Sequence, residues 1–219
     1  MKKIYKISKN IKLFGVGCLV LATIGGCSLD EKTHSIYTPE TIYVNDNQIL
    51  SSLSGIYRNF AATSGLGVEY RCLELSADQV VVLEKIQGWW GGAPFSELIE
   101  HKWTETHPYI KGAWDCYFKT VGQTNALIAS LEQSNLPESS VAGPIAELRA
   151  LRAYSYFFLM DLFGNVPIFT LPKVDPLNLP KQNTRSEVFD FVTTELKAAI
   201  EDLPTKKEAG SKYYGRFTK

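Results

Sequence analysis

Four long segments of this chain repeat apolar residues at intervals of three and four, which is the spacing of one face of an α-helix. The segments run from Asn45 or Asp46 to about Ala61, from Pro108 through Leu131, from Ser139 or Ser140 to Phe163, and from Thr184 to Pro204. Each is longer than a typical strand, and each begins with a residue type that favours helix starts. A chain built of such segments folds by packing helices together, so the predicted fold class is mainly α.

The fourth segment carries the clearest local signals. Thr184 and Glu187 have the spacing of a capping box, and Pro204 ends the helix. Its predicted buried face consists of Val188, Phe189, Val192, Leu196, Ala199 and Leu203. Gly164 after the third segment is suited to a left-handed helix stop. Strand signals are confined to residues 80–83 and 166–170, so sheet contributes little to the predicted fold.

Charge is distributed unevenly along the chain. Residues 1–26 hold five lysines and no acidic residue, whereas the whole chain balances 23 basic against 23 acidic side chains. The rest of the chain therefore has five more acidic than basic residues. Because binding to nucleic acid needs a concentrated patch of Lys and Arg, we expect no nucleic-acid partner.

An uncharged apolar run of twelve residues follows the basic start of the chain, at residues 13–24. A helix of that length spans roughly 18 Å, less than the roughly 30 Å hydrocarbon core of a membrane, so the run predicts a signal peptide. The tetrad Ile24-Gly25-Gly26-Cys27 resembles a bacterial lipobox, in which Cys27 is acylated after cleavage and anchors the protein. An ordinary secretory signal with an incidental cysteine is the alternative. We assign residues 1–26 to the signal peptide, 27–45 to the acylated cysteine and a tether, and 46–219 to the helical domain.

Cys72 and Cys116 are the cysteines of the predicted helical domain. Cysteine is often fully buried, and a domain of this size does not depend on a crosslink, so both are predicted to be free side chains in the interior. Because an exported chain meets an oxidising compartment, a disulfide between them is the alternative.

The connection at residues 63–107 lacks a helical stripe and is rich in glycine. It contains three of the four tryptophans, Trp89, Trp90 and Trp103. Long loops in compact domains commonly carry binding residues, so this connection is the predicted functional segment. Trp103 is predicted to pack against the second helix, and Trp114 is predicted to lie in the core.

Short motifs along the chain occur in a recognisable order. They are Cys27-Ser-Leu-Asp30, Gly55-Ile56-Tyr57, Ser76-Ala-Asp78, Trp114-x-x-Tyr117, Asn125-Ala126-Leu127-Ile128, residues 147–157 (ELRALRAYSYF), Phe163-Gly164-Asn165-Val166-Pro167-Ile168, Arg185-Ser-Glu187-Val188, Leu203-Pro204 and residues 215–219 (GRFTK). In this order they resemble the amino-terminal part of the SusD/RagB family of outer-membrane lipoproteins.

The resemblance implies a SusD-like helical scaffold with tetratricopeptide-like helix pairs and long decorating loops, which bind glycans or, in some members, peptides. It also implies a lipid-anchored place in the outer membrane, facing the cell exterior. There, family members cover a SusC-like TonB-dependent transporter and deliver oligosaccharides to it. Members are usually more than twice as long, so we expect this chain to be a truncated amino-terminal part.

The residue types of such a binder follow from the shape of a sugar. A pyranose ring has an apolar face, which stacks on aromatic rings, and hydroxyl edges, which form hydrogen bonds with polar side chains. Trp89 and Trp90 are the predicted ring platforms, and Asp78 and Gln87 are the predicted edge contacts. The alternatives are that the tryptophans plug the loop or contact the transporter, and that Asp78 caps a helix or bonds within the loop.

No residue pattern supports catalysis, a cofactor or a metal site. His101 and His107 lack the i, i+4 spacing of a helical zinc pair, and Glu147, Arg149 and Arg152 are predicted to form ion pairs or to cover a solvated face. The predicted function is therefore non-catalytic binding of oligosaccharides at the cell surface. One alternative is a lipoprotein that binds peptides or the transporter without a glycan site, and the other is a lipoprotein glycoside hydrolase.

Overall fold

α-Helices make up most of the described chain, as the sequence predicts. The structure, a computed structural model, describes residues 42–62, 68–82 and 92–219. Its helices are α1 (Asp46–Ala61), α2 (Val68–Ser76), α3 (Ala93–Ile99), α4 (Pro108–Glu132), α5 (Glu138–Phe163), α6 (Arg185–Asp202) and α7 (Lys206–Ala209), followed by a 3₁₀ turn at Gly210–Tyr213. The predictions for Cys27, the signal peptide and most of the tether lie outside the described residues.

Helix α5 is the centre of the fold, because both α4 and α6 pack against it. Small and aliphatic residues occur around much of its circumference, and its most deeply buried apolar side chains are Leu148, Leu151, Ala153, Tyr156 and Leu159. Each large apolar side chain that is removed from water contributes about 1.5–3 kcal/mol, so this helix supplies much of the core. Helices α1 and α2 pack on α4 and extend the layer.

The predicted helix starts are correct for α1, α4 and α6. Asn45 accepts a hydrogen bond from the backbone N–H of Gln48 at 3.2 Å, and Thr184 and Glu187 form the predicted capping box. The predicted cap of α5 at Ser139 or Ser140 is wrong. This helix begins at Glu138, because the preceding Pro137 already has an extended backbone at φ −64° and ψ 147°, the geometry of a helix cap.

The predicted buried face of α6 is partly wrong. Val188, Val192, Ala199 and Leu203 are buried, but Phe189 and Leu196 are 57% and 37% exposed. Since α6 packs mainly against α5, only a narrow stripe of it is covered. Glu195 occupies part of that stripe, where it pairs with Arg152.

The long connection between α1 and α4 contains two helices, α2 and α3, where the sequence predicted a loop. The predicted strand at residues 80–83 does not form in its described part, residues 80–82, which have no regular structure and no partner strand. The other predicted strand is reduced to Val166–Pro167, which pairs antiparallel with Gln182–Asn183. Gly164, at φ 74°, ends α5 as predicted.

Two ion pairs on α5 are largely removed from water. The Glu147 carboxylate accepts hydrogen bonds from the Tyr57 hydroxyl at 2.6 Å and from Nε and Nη2 of Arg216 at 2.8 and 2.5 Å. Arg152 bonds to Glu195 and, through Nη1, to the Asn125 side chain at 2.7 Å. The predicted ion pairs of this helix therefore form with other elements. They tie α5 to α1, to α6 and to the carboxyl-terminal residues.

The predictions for Trp114 and for the two cysteines of the helical domain can also be compared with the structure. The Trp114 ring packs against Phe118 and Phe163, with centroids 4.6 and 5.1 Å away, so it belongs to the core as predicted. Cys72 and Cys116 are free thiols, so the alternative of a disulfide is not what the structure shows. Among the described residues, no helix has both the length and the apolar character that crossing a membrane requires.

The buried Glu147 cluster makes a direct prediction for stability. Glu147→Gln leaves the Arg216 guanidinium without its counter-charge, and breaking a buried pair in this way costs roughly 3–5 kcal/mol. Urea unfolding at neutral pH measures the loss. Lys111→Ala, which removes the exposed pair with Asp115, is the control and costs less than about 0.5 kcal/mol. Equal, small losses in both variants would contradict the role given to Glu147.

Candidate functional site

Asp78 is the predicted site residue that the structure describes. It follows the end of α2 in a left-handed turn at φ 57°, and its side chain is exposed. Asp tolerates this conformation better than most residues, so its backbone helps to end the helix. Among the described residues, no hydrogen bond reaches its carboxylate. Gln87, Trp89 and Trp90 lie outside the described residues.

His101 approaches Asp78 from the other end of the connection. It too has a positive φ, 56°, and in the described part of the chain these are the two non-glycine residues in that conformation. Its Nε2 lies 3.0 Å from the carbonyl oxygen of Ser76, two residues before Asp78. Unusual backbone conformations persist where the surroundings impose them and often mark functional sites. Here both occur on one patch of surface.

Trp103 adds an aromatic ring to this patch. Its centroid lies 5.1 Å from that of His101, and the residue is 39% exposed. One side of it lines a cavity together with Ile110 and Ala113 of α4, as expected for packing against that helix. Over a third of the residue nevertheless meets solvent. Sequence reasoning missed His101 and Trp103 as candidate site residues.

The cavity beneath Trp103 is small and apolar. It has a volume of about 110 Å³ and is lined by α2, α3, α4 and the end of α5, with Cys72, Leu98 and Phe163 among its walls. Ligand pockets usually measure roughly 300–1,000 Å³, so a sugar ring does not fit inside. The exposed face of Trp103, rather than the cavity, is available to a ligand.

A second cavity, of about 160 Å³, lies where the undescribed segment 83–91 begins and ends. Val80 and Val82, before that segment, and Phe95, after it, line the cavity together with Tyr70 and Arg71. The described residues on the two sides of positions 83–91 therefore meet at one cavity. We call residues 76–82 and 92–103 the α2–α3 surface.

Aromatic contacts hold this surface to the start of α4. The Tyr109 ring lies 5.5 Å from Phe95 and 5.6 Å from His107, and the Arg71 guanidinium carbon lies 5.0 Å from its centroid. His107 is buried, and its Nε2 is 2.9 Å from the carbonyl oxygen of Pro94. Among the described residues, no group of three potential metal ligands occurs, and His101 and His107 serve separate contacts.

A buried carboxyl group fastens α2 to α4. The Tyr117 hydroxyl donates a hydrogen bond to Glu69, which is only 7% exposed. Burial raises the pKa of Glu69 above its ordinary value, and the nearby Asp161 carboxylate raises it further, while the hydrogen bond from Tyr117 opposes the shift. The pKa of the neighbouring Cys72 thiol is raised to about 11, mainly by burial and to a smaller extent by the charge of Glu69. This thiol therefore stays protonated and unreactive near neutral pH.

The raised pKa of Glu69 gives a stability that depends on pH. A carboxyl group whose pKa is higher in the folded than in the unfolded state stabilises the fold at low pH, and this contribution is lost as pH rises through the folded-state pKa. Glu69→Gln cannot ionise, so its melting temperature should exceed that of the native protein at about pH 8, and the difference should shrink at about pH 4.5.

Thermal unfolding over that pH range provides the measurement. Glu74→Gln, on the same helix, is the matched control and should show no such trend, because Glu74 is not part of the buried contact with Tyr117. A melting-temperature difference for Glu69→Gln that is the same at both pH values would contradict the role of Glu69.

Comparisons of the sequence and of the structure with known proteins find the same group of proteins. A family profile described as "Starch-binding associating with outer membrane" matches residues 29–219. SusD-like protein P2 of Formosa agariphila is 23% identical over 189 residues, which are 85% of this chain and 37% of that protein. A laminarin-binding SusD-like protein superposes with a TM-score of 0.66 at 25% identity, over 80% of this chain and 38% of that one.

Surface glycan-binding protein A from Bacteroides thetaiotaomicron has the same fold. It superposes with a TM-score of 0.63 at 22% identity, over 81% of this chain and 36% of that one. The chain therefore spans less than half the length of each of these relatives.

Proposed function

This chain belongs to the SusD-like family, and from that membership and the geometry of the α2–α3 surface we propose that it binds oligosaccharides at the cell surface without cleaving them. The family description associates its members with starch binding and with the outer membrane. One protein of similar fold is a laminarin-binding SusD-like protein. Both observations favour a neutral oligosaccharide as the ligand class.

The partly exposed indole ring of Trp103, close to the turn that follows α2, is the observation that supports this proposal most. The imidazole of His101 lies against Trp103 and reaches the Ser76 carbonyl, so the ring lies close to the turn that carries Asp78 two residues later. A sugar that stacks on Trp103 presents its hydroxyl edge to such polar groups. Asp78 accepts hydrogen bonds from sugar hydroxyls, and Gln87, Trp89 and Trp90 complete the proposed site from the adjoining segment.

Weak binding is expected from these contacts. Each stacked ring contributes about 0.5–1.5 kcal/mol beyond burial, and each hydrogen bond to a charged group about 1.5–3 kcal/mol. After the costs of ordering, three or four such contacts give roughly −4 kcal/mol, the free energy of a millimolar complex. Rapid release suits a protein that passes its ligand onward.

The proposal extends to the assembly in which the protein works. Cys27 carries the lipid anchor in the outer membrane, with the helical domain on the outside of the cell. The ligand passes from the α2–α3 surface to a SusC-like TonB-dependent transporter. We assign no catalytic role to Glu147 and Arg152 of α5, because each forms an ion pair that holds the fold together.

Titration calorimetry against oligosaccharides from laminarin, starch and cellulose tests the proposed site. Trp103→Ala and the double variant Trp89→Ala/Trp90→Ala should each weaken binding roughly tenfold, since each removes stacking energy of about 1.4 kcal/mol. Asp78→Asn keeps the shape and the left-handed turn, and should weaken binding by roughly fivefold through the lost charge. Phe189→Ala, an exposed aromatic residue on α6, is the control and should bind normally.

Three outcomes contradict parts of the proposal. Normal binding by all the α2–α3 variants would remove the site from this surface. If no glycan binds while a SusC-like barrel copurifies with the protein, the transporter-binding alternative replaces the glycan site. Shortening of the polymer, seen by chromatography, would replace binding with hydrolysis.

A further inference from the structure

A groove of about 460 Å³ lies on a part of the molecule that the proposed function does not use. Its walls are the amino-terminal half of α1, the first two turns of α5 and the carboxyl-terminal residues Tyr213 and Arg216. No residue of the α2–α3 surface lines it. Its volume lies within the roughly 300–1,000 Å³ range of small-molecule sites, unlike the two smaller cavities beside α2.

The groove has an apolar floor and a polar rim. Ile49 and Leu53, which are 2% and 1% exposed, form part of the floor. Asn47 and Ser139 stand among the polar residues of the rim, one on each helix, and Asp46 adds a carboxylate. A molecule in the groove therefore meets hydrogen-bonding groups from two directions and carbon atoms from below.

Arg216 places a fixed donor in the groove. Glu147 holds its Nε and Nη2, and the guanidinium carbon lies 4.0 Å from the centroid of the Tyr213 ring. Within the described residues, Nη1 has no hydrogen-bond partner. Because two nitrogens and the plane of the group are already fixed, Nη1 remains as a donor of restricted orientation on a residue that lines the groove.

The start of α5 supplies an acceptor to the groove. A proline within a helix lacks the N–H that would bond to the carbonyl oxygen four residues earlier. Pro144 is such a residue, so the carbonyl of Ser140 lacks that helical donor, and both residues line the groove. Gly143 leaves open space beside them, since a Cβ atom added there meets nothing within 4 Å.

From this arrangement we propose that the groove is a second binding site, for one or two units of a neutral sugar. The Arg216 charge is already compensated by Glu147, and Asp46 stands at the rim, so the groove does not favour an anion. The polar rim does not suit a purely apolar ligand. Paired donors and acceptors above an apolar floor with a tyrosine ring match the edge and face of a pyranose.

Gly143 is the position from which a side chain can fill the groove, because a Cβ atom added there meets nothing within 4 Å. Gly143→Gln extends a polar side chain into the open space, whereas Gly143→Ala adds one methyl group and is the matched control. Both place a Cβ atom directly before Pro144, which is disfavoured in a helix, so the two variants share that backbone cost and their comparison isolates the longer side chain. Asn47→Ala removes one rim contact. Asp78→Asn and Trp103→Ala report separately on the α2–α3 surface.

The measurement is a nuclear magnetic resonance titration of the full purified protein with maltose, laminaribiose and cellobiose. Binding at the groove should shift the amide signals of Asn47, Ser140 and Gly143, with a dissociation constant in the millimolar range. Gly143→Gln should weaken this binding by at least roughly tenfold, and Asn47→Ala by roughly two- to tenfold. Gly143→Ala, Asp78→Asn and Trp103→Ala should leave the shifts at the groove unchanged.

The two sites fail independently in this experiment. The groove proposal is overturned if no disaccharide shifts the three amide signals, or if Gly143→Gln leaves their titration unaltered. The α2–α3 proposal is unaffected by that result, because it depends on the response of binding to Asp78→Asn and Trp103→Ala. Shifts at the groove that survive all variants would show non-specific contact and would also contradict the second site.

Discussion

The described fold depends most on the hydrogen bonds and the ion pair that the Glu147 carboxylate forms. It is fully buried at the centre of α5 and accepts hydrogen bonds from Tyr57 on α1 and from Arg216 near the carboxyl terminus. Burial, with a smaller contribution from the Glu147 charge, raises the pKa of Tyr57 far above its ordinary value, so the hydroxyl remains a donor. One buried charge thereby joins three parts of the chain that are far apart in sequence, and each partner is needed because an unpaired buried carboxylate is costly.

The scaffold and the proposed binding surface are held by different kinds of contact. Around α5, aliphatic packing and two ion pairs fix α1, α4 and α6. The α2–α3 surface instead rests on the Glu69–Tyr117 hydrogen bond, on contacts of Tyr109 and on the link from His101 to Ser76. Binding energy of a few kcal/mol can act on such a surface while the core stays unchanged. A rigid scaffold that carries a separately fastened surface suits reversible capture of a ligand.

Local sequence patterns predicted α1, α4, α5 and α6, because the apolar repeat and the end signals of each helix lie within one short segment of the chain. They failed where the outcome depends on distant partners. Phe189 was predicted to be buried. It lies at the edge of the face that packs on α5, and burying it would need a second helix against α6, which the described elements do not provide. The short helices α2 and α3 have few apolar repeats between glycines. His101 and Trp103 were missed because a contact with Ser76, 25 residues away, sets the conformation of His101.

The proposed binding site for a neutral oligosaccharide is the surface that carries Asp78, His101 and Trp103. Hydrogen–deuterium exchange with and without laminarin oligosaccharides tests it most directly, because it locates the contact without altering any residue. If the sugar binds there, exchange slows at residues 76–82 and 100–104 and does not change within the buried turns of α5. Unchanged exchange at both segments while the sugar binds would contradict it.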